Sequence, residues 1–310
     1  APVLDMAGVT ASEHLRARGF HAETTHPRAG KLSVPGAPYR LREGAWQLRS
    51  PAPLHGEQQA AALWKETRPA TPPATAPKLP LEGIRVADFS WVWAGPFAGM
   101  QLAHLGAEVI KIESGKRPDL GRRLAIFPKD AAPGLNRSGY FNQWNQGKQS
   151  LQLDLGHPEA PALVKALVGE CDVVLENFPP GKLDGLGLGF EELALLNPAL
   201  VYVSVTPFGQ TGPKARWAAS DLTVFAASGA LWLTGDEDRP PVRISVPQTF
   251  LHAGAEAAAA TLVALHERRR SGRGQHVDVS AQQAVTLATQ SDAVAAQVGE
   301  VGAARSGGGA

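Results

Sequence analysis

Asp221 opens a helix-like stretch, His252 and Glu256 stand at i and i+4 on an Ala-rich one, and Glu113 ends an apolar strand-like run. Each has an acid–base reading and a plainer one. An Asp at a helix start satisfies free N-terminal amides. His252 and Glu256 share a helix face and can pair as acid and base, although a solvated surface pair explains them as well. Glu113 falls where dinucleotide-binding folds place the acid that grips a ribose. The loop after the preceding strand, Trp93-Ala-Gly-Pro-Phe-Ala-Gly99, lacks Gly-x-Gly-x-x-Gly, and Pro96 stands where the glycine turn should approach a pyrophosphate. A nicotinamide-dependent oxidoreductase is therefore a remote alternative. Cys171 has no partner for a disulfide or a metal-type pair and reads as packed.

The elements that must position such groups alternate. Apolar, β-branched runs at 84–89, 109–113, 150–155, 173–176, 200–204 and 276–279 read as strands. Helical patterns at 96–105, 158–168, 190–196 and about 252–270 separate them, the first opening with Pro96. This order predicts an α/β fold, a Rossmann-like parallel sheet with flanking helices, over residues 81–310. Loops beyond the C-terminal ends of such strands bind ligands. The loop from Trp91 and the turn Asn177-Phe178-Pro179-Pro180-Gly181 lie there. Residues 66–80, rich in Pro, Thr and Ala, read as an extended linker. Residues 1–65 form a small α+β segment, with a helix at 11–18 stopped by Gly19 and strands at 21–25 and 31–34, either separate or docked on the sheet edge.

Composition sets outer bounds. The 310 residues are 44% hydrophobic and 19% charged, an ordinary globular balance with enough length for a large core. With 30 basic against 29 acidic side chains the net charge is +1, so no overall field draws nucleic acid or an anionic membrane. No run approaches the ~18 apolar residues of a spanning helix, and no leader pattern opens the chain. A cytoplasmic protein is the simplest expectation. The start at Ala1 and the glycine-rich end lead us to expect a fragment.

Four motifs, in order, carry a resemblance. They are residues 81–113, beginning Leu-Glu-Gly-Ile-Arg-Val-Ala-Asp-Phe-Ser-Trp-Val-Trp-Ala-Gly-Pro; Asp172-Val-Val-Leu-Glu-Asn-Phe-Pro-Pro-Gly181 with Leu186-Gly-Leu-Gly189; Phe208-Gly-Gln-Thr-Gly-Pro213; and Ser271-Gly-Arg-Gly-Gln-His-Val-Asp278. Together they resemble the family III CoA-transferases, the CaiB-BaiF family. Ser12-Glu-His-Leu-Arg-Ala-Arg-Gly-Phe20, Pro35-Gly-Ala-Pro-Tyr39 and Pro53-Leu-His-Gly-Glu57 resemble the C-terminal end of the same family, so the tail precedes the head. A tandem fusion, with 1–65 closing one copy and 81–310 opening the next, is favoured over circular permutation.

The resemblance implies transfer of coenzyme A between carboxylic acids, with coenzyme A or acyl-CoA as substrate and no prosthetic group. It further implies, as partner, a second CoA-transferase module or a homodimer mate. It assigns Trp91, Val92, Trp93, Ala94, Leu153, Asn177 and Phe178 to the CoA pocket. Gly185 and Ser114 stand where many members carry phosphate-binding arginines, which leaves Lys182, Lys116 or Arg117 as substitutes. The family's nucleophilic Asp, which attacks the thioester, falls on Thr249 or Phe250 of Ser245-Val-Pro-Gln-Thr-Phe250, and neither can do that chemistry. Asp221 keeps an acidic residue found near the family's active site and is the candidate catalytic carboxylate. The racemase branch's His corresponds to Ser220, which argues against that activity. A non-catalytic, CoA-binding or scaffolding half is the alternative. Trp217 and Trp232 read as core or interface aromatics.

Overall fold

The computed structural model describes residues 2–26, 30–36, 38–42, 79–124, 135–136, 138–298 and 305. Expectations for the linker at 66–78, for Pro53–Glu57 and for the extreme C-terminus lie outside them. The N-terminal segment contains α1 (Met6–Thr10), α2 (Glu13–Ala17), an antiparallel hairpin of β1 (His21–His26) and β2 (Gly30–Pro35), and the short β3 (Tyr39–Leu41). The helix expected at 11–18 is α2, capped by Ser12, and an unexpected turn of helix, α1, capped by Asp5, precedes it.

From Arg85 onward, strands and helices alternate. The strands are β4 (Arg85–Asp88), β5 (Glu108–Glu113), β6 (Lys148–Gln152), β7 (Val173–Glu176), β8 (Val201–Thr206) and β9 (Gln275–Ser280). Between and after them lie α3 (Ala94–His104), α4 (Gly139–Trp144), α5 (Ala160–Gly169), α6 (Phe190–Leu196), α7 (Asp221–Ala227), α8 (Thr249–Ser271), α9 (Ala281–Ala288) and α10 (Gln290–Ala295). All the residues of β7 and β8 are buried, as strands covered on both faces must be. Small side chains of α3 and α8, among them Ala98, Ala253, Ala257 and Ala260, pack on one face of the sheet. Val164 and Val168 of α5 and Leu193 of α6 pack on the other.

The sheet order is β3-β9-β8-β7-β4-β5-β6. Every pairing is parallel except β3 on β9. The expected parallel sheet is therefore mostly parallel, closed at one edge by a strand from the N-terminal segment. That segment is docked by buried polar contacts as well. Arg18, fully buried, donates to Asp278 Oδ2 at 2.9 Å and to Gln283 Oε1 at 3.0 Å. His14 bonds the Phe208 carbonyl through Nε2 at 2.9 Å and accepts the Lys214 amide at Nδ1 at 3.1 Å. This arrangement requires a neutral ring, and burial lowers its pKa to about 4.

Candidate active site

Strands β4, β5 and β6 run out one way from the middle of the sheet, and β7, β8 and β9 the other, so the order reverses between β4 and β7. Ligands of doubly wound sheets bind in the crevice at that switch point. A cleft of about 920 Å³ opens there. Trp91, Val92, Trp93, Ala94, Leu153, Asn177, Phe178 and Lys182 all line it, as do Asp221 and Phe250. Residues that spacing alone had not singled out, including Asp154, Leu183, Val205 and Pro207, complete its walls. The lining comes from seven separate stretches of chain, and no local pattern joins them.

The loop after β4 is pinned at each step. Phe89 N–H donates to the Leu175 carbonyl at 2.8 Å. The Asn177 amide accepts from Trp91 N–H and donates to the Trp91 carbonyl, both at 2.8 Å. The Phe178 ring meets Trp91 edge-on, with centroids 5.6 Å apart. Asn177 therefore acts on the cleft through the Trp91 backbone. Val92 has φ +70° and the Trp93 amide bonds the Trp91 carbonyl at 3.1 Å, a γ-turn of the rare left-handed form. For a β-branched residue this conformation costs ~1–3 kcal/mol.

Two buried ion pairs underlie the loop. Lys148 meets Asp88 at 2.7 Å, and Lys111 meets Asp119 at 2.7 Å. Ser90 joins them, its hydroxyl donating to Asp88 and its carbonyl accepting from Lys111. Burial opposes the charge on Asp88, but Lys148 and Lys111 hold its carboxyl below the usual range. Asp119 accepts the Val92 amide, at 3.0 and 3.2 Å to its two oxygens, and the Gly121 amide at 2.7 Å.

Glu113 faces the cleft but is not free to grip a ribose. Both of its oxygens accept from the Arg122 guanidinium, and one also accepts the Asp119 amide. At the rim, Arg117 and Lys182 are exposed and line the cleft, whereas Lys116 pairs with Asp154 at 2.8 Å. Glu176, buried beneath the turn after β7, accepts the Phe178 amide at 2.7 Å, and burial pushes its carboxyl up to about 7.

The cap of α7 is Ser220, which forms a capping box with Thr223. Asp221 follows it and turns its carboxylate to the Thr249 amide at 3.0 Å, tying α7 to the start of α8. Thr249 is fully buried, with its hydroxyl on the Asp221 carbonyl at 3.1 Å, while half-buried Phe250 lines the cleft. His252 and Glu256 fall outside the cleft lining. Trp217 and Trp232 are 50% and 38% exposed, so neither is a core residue. Burial raises the Cys171 thiol to about 11, which keeps it unreactive. Among the described residues, no cluster of His, Cys, Asp and Glu could hold a metal ion, and no helix is long and apolar enough to cross a membrane.

A doubly wound sheet with an aromatic cleft at its switch point defines a broad class of ligand-binding α/β proteins. Comparison with known proteins narrows it. The model of CoA-transferase family III matches residues 1–59 and 81–309, and the chain belongs to that family. It is 43% identical over 204 residues to a succinate–glutarate CoA-transferase of Agrobacterium fabrum, covering 66% of this chain and 51% of that protein. Over 215 residues it is 42% identical to a succinyl-CoA–D-citramalate CoA-transferase of Chloroflexus aurantiacus, covering 69% of this chain and 52% of that one. The chain thus spans about half the length of these relatives. A crystal structure of a CAIB/BAIF family protein from Brucella suis superposes with a TM-score of 0.68 at 36% identity, covering 73% of this chain and 60% of that one.

Proposed function

We propose that this chain supplies the coenzyme A site of an acyl-CoA:carboxylate CoA-transferase, and that the order of its parts reflects a tandem of two family modules. One observation carries the reading: the seven residues assigned to coenzyme A by resemblance, with Lys182 as a substitute for a missing arginine, line one cleft at the sheet's switch point, together with a carboxylate, Asp221. The apolar wall of Trp91, Trp93 and Phe178 suits the thioester arm. Arg117 and Lys182 at the rim suit phosphates as point charges.

Of the carboxylates lining the cleft, Glu113 is held by Arg122 and Asp154 by Lys116, while Asp221 gives one oxygen to the Thr249 amide. Asp221 is therefore the candidate nucleophile. By the family's route its carboxylate attacks the thioester carbonyl, the C–S bond breaks and CoA thiolate leaves, forming a mixed anhydride. The thiolate then attacks the aspartyl carbonyl, releasing the donor acid and leaving an enzyme-bound CoA thioester. An incoming carboxylate reverses both steps and departs as the new acyl-CoA. The donors and acceptors named for the relatives make succinyl-CoA and dicarboxylates the first substrates to try.

Phe250 at the cleft favours a second reading, a coenzyme-binding half whose partner module supplies the nucleophile. Incubation with succinyl-CoA, hydroxylamine capture and peptide mass spectrometry separate the two. An adduct on Asp221 establishes catalysis by this module. Coenzyme A binding by calorimetry without any adduct establishes the silent half. Absence of coenzyme A binding sinks both readings.

A further inference from the structure

The buried pair of Lys111 and Asp119 has no part in the transfer chemistry, yet it grips the loop that shapes the cleft's mouth. Lys111 donates to the Ser90 carbonyl, and Asp119 receives the Val92 amide at both oxygens, 3.0 and 3.2 Å away. The same carboxylate is charge-balanced by Lys111 at 2.7 Å and oriented by the Gly121 amide at 2.7 Å. Both side chains are almost completely buried, at 2% and 1% exposure. Directly at the second gripped group, the Val92 amide, the chain enters the γ-turn that gives Val92 its positive φ.

We infer that Asp119, held in place by Lys111, is the positioning residue that keeps the Trp91–Trp93 turn in its strained form and so fixes where Trp93 and Ala94 stand in the cleft. A β-branched residue stays left-handed only where its surroundings over-determine it. Here three contacts on successive residues do so: Lys111 on Ser90, Asn177 on Trp91 and Asp119 on Val92. A buried ion pair contributes little net stability over apolar residues of equal volume. What this one supplies is direction, a fixed acceptor aimed at one amide. Its effect on ligand binding rests on the coenzyme A reading above; its effect on the turn does not.

The test uses the whole chain and four variants: Val92→Ala, Val92→Gly, Asp119→Asn and the Asp119→Asn/Val92→Gly double. Ala and Gly both remove the valine's packing, but only Gly takes φ near +70° without strain. In an unstrained turn Ala is the more stable of the two. We expect Val92→Gly to melt above Val92→Ala. Asp119→Asn should weaken coenzyme A binding about tenfold, the worth of a hydrogen bond to a charged group. The double variant should bind more tightly than Asp119→Asn alone, because glycine reaches the turn without the clamp. A melt in which Val92→Ala equals or exceeds Val92→Gly, or a double variant no better than Asp119→Asn, overturns the inference. If the wild type binds no coenzyme A, melts replace binding: Asp119→Asn should lower the melting temperature less in the Val92→Gly background than in the wild type, and equal losses overturn the inference; if Asp119→Asn does not fold, a double variant that does not fold either overturns it.

Discussion

Asn177 spends both ends of its amide on one backbone unit, which makes it sensitive to changes that preserve its size. Asn177→Leu leaves the part-buried Trp91 N–H without its partner and the Trp91 C=O with the Trp93 amide alone, at ~1–3 kcal/mol for the unpaired donor, and should lower the urea midpoint and weaken coenzyme A binding together. Titration at two buried groups gives a second prediction. Glu176, raised by burial from 4.5 to about 7, binds its proton more tightly when folded. Its contribution is whole below pH 4.5 and lost as pH rises to 7, amounting to ~3 kcal/mol at most. His14, lowered by burial from 6.5 to about 4, contributes in full above pH 6.5 and loses that contribution as pH falls to 4. The two slopes oppose each other over nearly the same range, so the wild type should show a shallow profile between pH 4.5 and 6.5. Glu176→Gln keeps an acceptor for the Phe178 amide and removes one slope. Denaturant melts should show it gaining on the wild type as pH rises from 4.5 to 7; a parallel profile would mean that Glu176 titrates normally.

At the scale of elements, the seat of the cleft depends on how closely α8 approaches the start of α3. A Cβ on Gly254 would stand 2.5 Å from the Ala94 carbonyl oxygen, a backbone atom that moves only if α3 moves. Ala94 is also a cleft residue. Gly254→Ala should therefore cost ~1–3 kcal/mol as an overpacked contact and impair coenzyme A binding as well. At Gly169, which ends α5, an added methyl meets nothing within 4 Å. Gly169→Ala should be neutral or stabilising, by up to ~1 kcal/mol of helix propensity. Thermal melts of both variants check the contrast. Equal effects would show that the α3–α8 contact is looser than its geometry implies.

For the whole molecule, the question is whether the N-terminal segment is an appendage or part of the fold. Its β3 adds a strand to the main sheet, and Arg18 crosses to Asp278 and Gln283 with no exposure of its side chain. Arg18→Met leaves Asp278 buried without its cation, at ~3–5 kcal/mol. A protease site placed within residues 66–78 offers a direct reading. After cleavage, the wild-type pieces should co-elute on size exclusion, and the Arg18→Met pieces should separate. Separation of the wild-type pieces would make the segment an appendage.

Much of this was legible in the chain itself. Buried parallel strands need unbroken apolar runs, so β7 and the neighbouring strands announced themselves, and their alternation with helices determined the Rossmann-like sheet. The cleft residues on the two loops were legible from their place after those strands. The seventh strand was not, because three residues, Tyr39–Leu41, carry too little periodicity to distinguish them from a loop. Nor was the difference between Thr249 and Phe250, which depends on the phase of α8 against the sheet: one faces the packed interior and the other the cleft. Asp119 and Lys111 were not singled out, since nothing in their spacing says that β5 and the following loop bring them together under Val92. Local sequence chooses elements through short-range sterics and periodicity, whereas long-range packing alone decides which distant polar groups lose their water and must find each other.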